Sequence, residues 1–431
     1  MYWQGEECMR FMNVNQRRKL GFLLLSAALF LPITIQAHAE QWTQSTINAG
    51  NMETIAVGPK DSSAFYTGTT QYCILKSSDH GDTWISTAMP SEVHDIAVNP
   101  QVSSILYAGT SGGIYKSMDS GKTWSAVFEI EDWVYELSIA IDPQTPSTLY
   151  ALVADNGVYK STDSGKNWEK KASITQGLAL AIKPDNPAVL YVGIFGSTSG
   201  VLRSADSGQT WTVINNGLPQ NYMAVHDFAI DPQNSSTIYV GIDWGVYKST
   251  NGGDTWNPTG LINKNVLTIC IDPDDPDILY AGTHYDGVYK SLNGGDTWIE
   301  INNGLTNMAV GALVVDSQAS SKIIYAGTYG GGLFKSLDGG NTWTAIDNGL
   351  MNLWVGDLAF DPQTSAVYAA GIFSAAPPQP DSGGGGGGGG CFVATLLGSR
   401  NDKWVTGGVI LMLLGVLSAG MIVTIRGRNR T

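Results

Sequence analysis

The sequence predicts an all-β fold, a single β-propeller, on three observations. An eight-residue signature, Ser-x-Asp/Asn-x-Gly-x-Thr/Asn-Trp, recurs seven times, beginning at Ser77, Ser117, Ser161, Ser204, Ser249, Ser291 and Ser336. Successive starts lie 40, 44, 43, 45, 42 and 45 residues apart, a period at which each unit is one small sheet unable to bury its faces alone. Each period also carries four short runs rich in β-branched and aromatic residues, and no segment between Glu40 and Ala376 sustains helical periodicity. Four strands per period is the arithmetic of a propeller blade.

The sixth unit shows the elements in order: Leu267–Ile271, Ile278–Ala281, Gly287–Lys290 and Thr297–Glu300, separated by Asp-Pro, Gly-Thr and Asn-Gly-Gly turn signals. The signature falls on the turn between the third and fourth strands. There Asp79, Asp119, Asp163, Asp206 and Asp338 accept hydrogen bonds from nearby backbone N–H groups, and Gly81 and its equivalents supply positive φ. Asn251 and Asn293 replace Asp in two units; an amide caps a turn but is neither proton donor nor nucleophile, so the turns read as structural. The signature Trp residues, Trp84 to Trp343, are expected to bury their rings against a neighbouring blade.

After the seventh signature come Asp357–Pro362, matching a first strand, and Val367–Ser374, matching a second and third. Gln41–Thr46, with Trp42-Thr43 resembling the start of a fourth strand, is expected to complete an eighth four-stranded blade, leaving only protected edges. The alternative is seven blades with loose ends.

The signature resembles the BNR or Asp-box repeat of sialidases, sortilin-type receptors, family 74 glycoside hydrolases and photosystem II assembly-factor-like propellers. The resemblance covers Trp42 to Phe373 and implies the propeller fold; it is weak on activity, since enzymes and non-enzymes share the repeat.

The chain ends read as targeting segments. Arg17-Arg18-Lys19, the apolar run Leu20–Leu31 and Ala37-His38-Ala39 have the three parts of a secretory signal, so residues 1–39 are expected to be removed at Ala39. Residues 40–376 form the propeller, and 377–404 a Pro/Gly-rich tether containing Gly383–Gly390 and Cys391. Val405–Ile425 is uncharged for 21 residues, long enough for a transmembrane helix, and the Arg-rich tail 426–431 places that end in the cytoplasm. Gly-rich segment, Cys391, apolar span and basic end together resemble the tripartite C-terminal sorting signals of Gram-negative bacteria, which implies an envelope protease acting near Cys391; a permanent single-pass anchor is the other reading. Either way the expected location is the bacterial cell envelope, with the propeller periplasmic or extracellular. Cys73 and Cys270 lie in different units and are expected to stay unpaired.

Charge narrows the partners. Residues 40–381 hold 35 acidic against 15 basic residues, a net of −20, which repels nucleic-acid phosphates. The propeller has a single arginine, Arg203, whereas the sialidases it resembles clamp their substrate carboxylate with three. His80, His94, His226 and His284 sit singly, without metal-ligand spacing, and there is neither a nucleophile elbow nor a phosphate loop. No cofactor or metal is expected.

The loops joining second and third strands share a rim with the loops entering the first strands. That rim collects Trp133, Tyr222, Trp244, Tyr285, Tyr329 and Trp354 as candidate ligand-binding rings, beside carboxylates and amides suited to a sugar ring or a peptide; the same rings also suit plugging the channel. Asp155, Asp243 and Asp286 lie where family 74 glycoside hydrolases carry a catalytic aspartate, so the resemblance makes them candidate catalytic acids. That family forms its cleft between two propellers, and this chain has one. The leading expectation is a non-catalytic, envelope-anchored binding module for a glycan or protein. The alternatives are a glycoside hydrolase resembling family 74 and an assembly scaffold for a membrane protein complex.

Overall fold

The computed structural model describes residues 41–46, 52–58, 64–70, 72–78, 84–130, 134, 137–196, 199–220, 223–316, 322–346, 353–361, 366–374, 389–397 and 421–426. Seven antiparallel four-stranded sheets follow one another over residues 52–88, 93–129, 137–172, 177–213, 225–262, 266–300 and 310–345. Within each sheet the strands lie in chain order, and the first strand of each packs beside the first strand of the next. They are the seven blades of a propeller.

Leu353–Asp361 packs between the first strands of blades seven and one. It opens a five-stranded sheet continued by Ala366–Ser374, Gly389–Leu397, Met421–Arg426 and Gln41–Thr46. This arrangement corrects three expectations. Complete four-stranded blades number seven rather than eight: Trp42 pairs with Ile425, and Gly389–Leu397 occupies the edge of Ala366–Ser374 that Gln41–Thr46 was expected to take. Residues 389–397 are a strand rather than part of a structureless tether, because Phe392-Val393-Ala394-Thr395 has strand propensity and meets an unpaired edge. The end of the expected transmembrane helix, 421–425, is also a strand, its β-branched Val423, Thr424 and Ile425 pairing on both sides. Residues 1–40, 398–420 and 427–431 lie outside the described residues, Ala39 among them. Among those described, no helix is long and apolar enough to cross a membrane.

The core lies between blades. Second strands such as Leu106–Thr110, Leu149–Val153 and Leu279–Thr283 are buried along their whole length, since both faces meet other sheets. Each carries a buried tyrosine at the same place: Tyr66, Tyr107, Tyr150, Tyr191, Tyr239, Tyr280, Tyr325 and, in the last sheet, Tyr368. Tyr66, Tyr107, Tyr191 and Tyr239 donate across the blade boundary, whereas the buried Tyr280 hydroxyl has no hydrogen-bond partner among the described residues. Tyr107 Oη donates to the Ser164 carbonyl at 3.0 Å, and Tyr239 Oη to that of Gly294 at 3.0 Å. The lysine before the signature joins them: Lys116 Nζ donates to Ser164 O at 2.8 Å and Lys248 Nζ to Gly294 O at 2.9 Å, each ammonium lying over the same tyrosine ring. Burial pushes the Tyr107 hydroxyl up to about 12 and the Lys116 ammonium down.

The accepting residue is the fourth of the next blade's signature. In blades two to four it is serine in left-handed conformation, with φ of 60° at Ser120, 61° at Ser164 and 62° at Ser207; in the next three it is Gly252, Gly294 or Gly339. The signature holds that conformation from within. Ser117 Oγ accepts from Gly121 N at 2.8 Å and donates to Asp119 at 2.8 Å, while Asp119 accepts from the N–H and hydroxyl of Thr123. These bonds, the Thr123 hydroxyl first, hold the Asp119 carboxyl down at about 2. Asp163, Asp206, Asn251, Asn293 and Asp338 make the equivalent turns, whereas Asp79 lies outside the described residues. Of the signature rings, Trp256 and Trp343 donate to carbonyls of the preceding unit, at Ile214 and Ile301. Trp124, Trp168 and Trp211 bond within their own turn.

First strands face the propeller axis with one edge unpaired, and three of them are capped from the neighbouring blade. Asp95 Oδ2 accepts from Ile139 N at 2.6 Å, Asp227 Oδ2 from Ile269 N at 2.8 Å and Asp357 Oδ2 from Ile55 N at 3.0 Å. All three retain some solvent contact yet lie deep in the molecule, as expected of groups on the wall of a narrow channel. Burial pushes Asp227 and Asp357 up to about 6 and raises Asp95. A register shift precedes each of them, between Val93 and Asp95, Val225 and Asp227, and Val355 and Asp357.

Two predictions follow from these contacts. Removing the Tyr107 hydroxyl with Tyr107→Phe should cost about 1 kcal/mol, because Lys116 still satisfies the Ser164 carbonyl. Adding Lys116→Met should cost more than the sum of the single changes in denaturant melts, since the carbonyl is then orphaned; strict additivity would refute the shared clasp. For Asp227, a folded value near 6 against an ordinary value near 4 favours the protonated form. Its stabilising contribution is present below pH 4 and is lost as pH rises through about 6, a swing of roughly 3 kcal/mol before any relief from channel water. Asp227→Asn keeps an acceptor for Ile269 N without the titration, so its Tm should exceed wild type at pH 7.5 and change less between pH 4 and 7. Parallel Tm curves for the two proteins would count against burial as the cause.

Candidate functional site

The rim bearing the loops between second and third strands is shaped by the same register shifts. In blades two and five, and in blade seven at a further shift between Val310 and Ala312, the extra residue of the bulge meets its own blade's rim loop. In blade two it is His94, whose Nε2 meets Ser111 Oγ at 2.7 Å. In blade five it is His226, whose Nε2 lies 2.9 Å from Asp243 Oδ1. In blade seven it is Gly311, where a methyl group would overlap the ring of Tyr329.

Blade five supplies the two-residue turn Asp243-Trp244. Besides His226, Asp243 accepts from Asn265 Nδ2 at 2.9 Å and from Ala224 N at 2.8 Å, so its carboxyl group is held from three sides. With the aspartate fixed inward, the Trp244 ring projects outward and is 47% exposed. Asn265 continues into blade six, where its carbonyl accepts from His284 N at 2.9 Å. Tyr285, 72% exposed, stacks on His284 with centroids 4.1 Å apart. Asp286 follows, paired with Lys264 at 2.6 Å; that bond raises the Lys264 ammonium.

His284 meets the ring of Tyr329 edge-on at 6.4 Å, and Tyr329 stacks on Trp354 at 4.6 Å with planes 26° apart. The backbones of Tyr329 and Trp354 also form a β-bridge. Three sheets thus contribute a continuous run of rings, Tyr285, His284, Tyr329 and Trp354, with the outer face of Trp354 open to solvent. Such a surface suits the C–H face of a sugar.

Of the sequence candidates, Trp244, Tyr285, Tyr329 and Trp354 therefore lie on adjacent sheets of one rim, with Asp243 and Asp286 in the same turns as two of the rings. Asp155 stands apart in blade three: it is left-handed at φ 58° and accepts from Gln176 N at 3.0 Å, which makes it a turn residue. Trp133 and Tyr222 lie outside the described residues. Cys391 is in a described strand, opposite Ile372. Lys264, Asn265 and Gly311 were missed by the sequence reading; the bulges that bring His226 and Gly311 to the rim leave no local signal beyond a residue inserted before the repeated D-x-A or A-x-V pattern. Among the described residues, no group of three or more His, Cys, Asp or Glu side chains is placed to hold a metal ion. Cys73 Sγ lies 3.1 Å from Thr69 Oγ1.

No family model matches the chain. A xyloglucanase of a Paenibacillus species is 26% identical over 248 residues, covering 53% of this chain and 21% of that protein. A xyloglucanase of Acetivibrio thermocellus is 26% identical over 229 residues, covering 48% and 24%. The chain thus spans less than a quarter of the length of these curated relatives. Among solved structures, the computationally designed protein Ika8 is similar at a TM-score of 0.57, with 13% identity over 76% of this chain and 95% of that one. YCF48 from Cyanidioschyzon merolae is similar at 0.50, with 14% identity over 69% and 98%. At these identities the likeness to Ika8 and YCF48 is one of fold.

Gly311 offers a test of the rim's construction that needs no ligand. Gly311→Ala should displace the Tyr329 ring and break its stacking on Trp354, changing tryptophan emission and near-ultraviolet circular dichroism, while Tm falls by no more than a few degrees. Unchanged spectra would show that the ring does not rest on Gly311.

Proposed function

We propose that this chain acts on a glycan of the xyloglucan class through its aromatic rim, as a glycoside hydrolase. The observation that carries the reading is that exposed rings and carboxyl groups share the same turns, Asp243-Trp244 and Tyr285-Asp286, on adjacent blades. The matched relatives, both xyloglucanases, support the substrate class. Glycosidic cleavage needs one carboxylic acid to protonate the leaving oxygen and a second carboxylate to activate water or attack the anomeric carbon. In this reading Asp243 and Asp286 supply the two, while Trp244, Tyr285 and Trp354 hold the sugar rings. Tyr329 backs Trp354 from behind. A net negative propeller with a single arginine suits an uncharged polysaccharide.

A second reading, capture without turnover, is favoured by one observation: both carboxyl groups are already engaged, Asp243 by His226 and Asn265, and Asp286 by Lys264. The scaffold reading rests on fold alone. Purified protein incubated with xyloglucan should release reducing ends, and Asp243→Asn or Asp286→Asn should lower the rate by roughly a hundredfold or more. Retention of the protein on xyloglucan without release of reducing ends would leave the binding module standing. Neither retention nor release would end the glycan reading.

A further inference from the structure

The exposed rings are not confined to the cluster just described. In the loop between second and third strands, blade one carries Tyr72, 48% exposed, and blade four carries Phe195, 44% exposed. Both occupy the loop that holds Trp244 in blade five, Tyr285 in blade six and Tyr329 in blade seven. Trp354 stands on the sheet between blades seven and one. Around the ring the aromatics therefore run without interruption from blade four, through five, six, seven and the last sheet, to blade one. Blades two and three break the series with Ser111-Gly112 and Asp155-Asn156 in the same loop.

Tyr72 has a further peculiarity. Its φ is 61°, in the left-handed region, where a bulky residue is an outlier and glycine, asparagine or aspartate is the economical choice. Asp155 and Asn263 are left-handed rim residues of the economical kind. The Tyr72 carbonyl accepts from Met89 N at 2.6 Å and ties the turn to its blade, but the ring itself is held out into solvent, and strain of this sort concentrates where a ligand is held.

On the strength of the proposed function, we infer that the rim is a track for an extended, uncharged polysaccharide chain, with Phe195 and Tyr72 as its outer sugar-binding positions. One or two sugar units reach only one or two of these rings, whereas only a polymer engages rings on successive blades together. The open arc directs such a chain around one side of the channel mouth rather than into it. Asp286 is neutralised by Lys264, and Asp243 is held by hydrogen bonds from Asn265 and Ala224, so neither turn presents an unpaired cation that calls for an acidic ligand.

The test is binding of the full chain, measured by calorimetry, to xyloglucan oligosaccharides of one, two and three repeating units. Affinity should rise with length. Phe195→Ala and Tyr72→Asn should each weaken the longest ligand by about tenfold and leave the one-unit ligand unchanged, whereas Trp244→Ala should weaken all three. Because asparagine suits the left-handed backbone, Tyr72→Asn should also raise Tm, separating loss of binding from loss of fold. Equal affinity at every length, or full affinity of both outer variants for the longest ligand, would overturn the track while leaving a compact glycan site in place. Absence of binding to any of the three would remove the proposed function and the track with it.

Discussion

The clasp between a tyrosine and a lysine of one blade and a single carbonyl in the signature turn of the next is the contact on which the propeller depends. A carbonyl at a left-handed residue points away from its own hairpin and, at a blade boundary, must find donors elsewhere. Tyr107 with Lys116 and Tyr239 with Lys248 provide two donors each, and Arg203 with Tyr191 does the same for Gly252. The signature is thus half of a joint, its Ser and Asp fixing the turn so that the carbonyl arrives where the preceding blade expects it. Stability built this way is nearest-neighbour in kind, each blade leaning on the two beside it.

The channel side is arranged on another principle. Each first strand is an edge strand whose outward N–H groups face a narrow channel. Aspartates at 95, 227 and 357 cap one such group on the neighbouring blade, at the expense of holding a carboxyl deep in the molecule. The bulge that frees Asp95 and Asp227 to do so also carries the residue before each, His94 and His226, toward the rim. His226 is fixed on Asp243 by that lift, while in blade seven a separate shift between Val310 and Ala312 sets Gly311, which leaves room for Tyr329. In blades two and five, ring closure and rim geometry therefore share one backbone irregularity.

The propeller was legible because its information is local and repeated: the signature spacing, the apolar-Tyr pair in the second strands and the Lys or Arg before each signature serine are all visible along the chain. The last sheet was misread because its partners lie far apart in sequence, and composition gave Gly383–Gly390 and the 405–425 segment more weight than the strand propensity of Phe392–Thr395 and Ile422–Ile425. At the rim, the exposed rings and the two acids were readable as loop residues of the wrong period for core. Their partners were not. That Asp243 is held by Asn265 from the next blade, and Asp286 by Lys264, depends on blade-to-blade register, which a single repeat does not encode.

Three outer strands are only two residues long, Thr212–Val213, Ile299–Glu300 and Thr344–Ala345; of the longer ones, Glu169–Ala172 carries Glu169, Lys170 and Lys171 and Asn257–Ile262 carries Pro258. An outermost strand of two residues offers another chain almost no ladder to extend, and a row of lysines on a longer one repels it. At blades closed in this way the outer edge gives another chain little to add to, and contact falls instead to the loops at the ends of the strands.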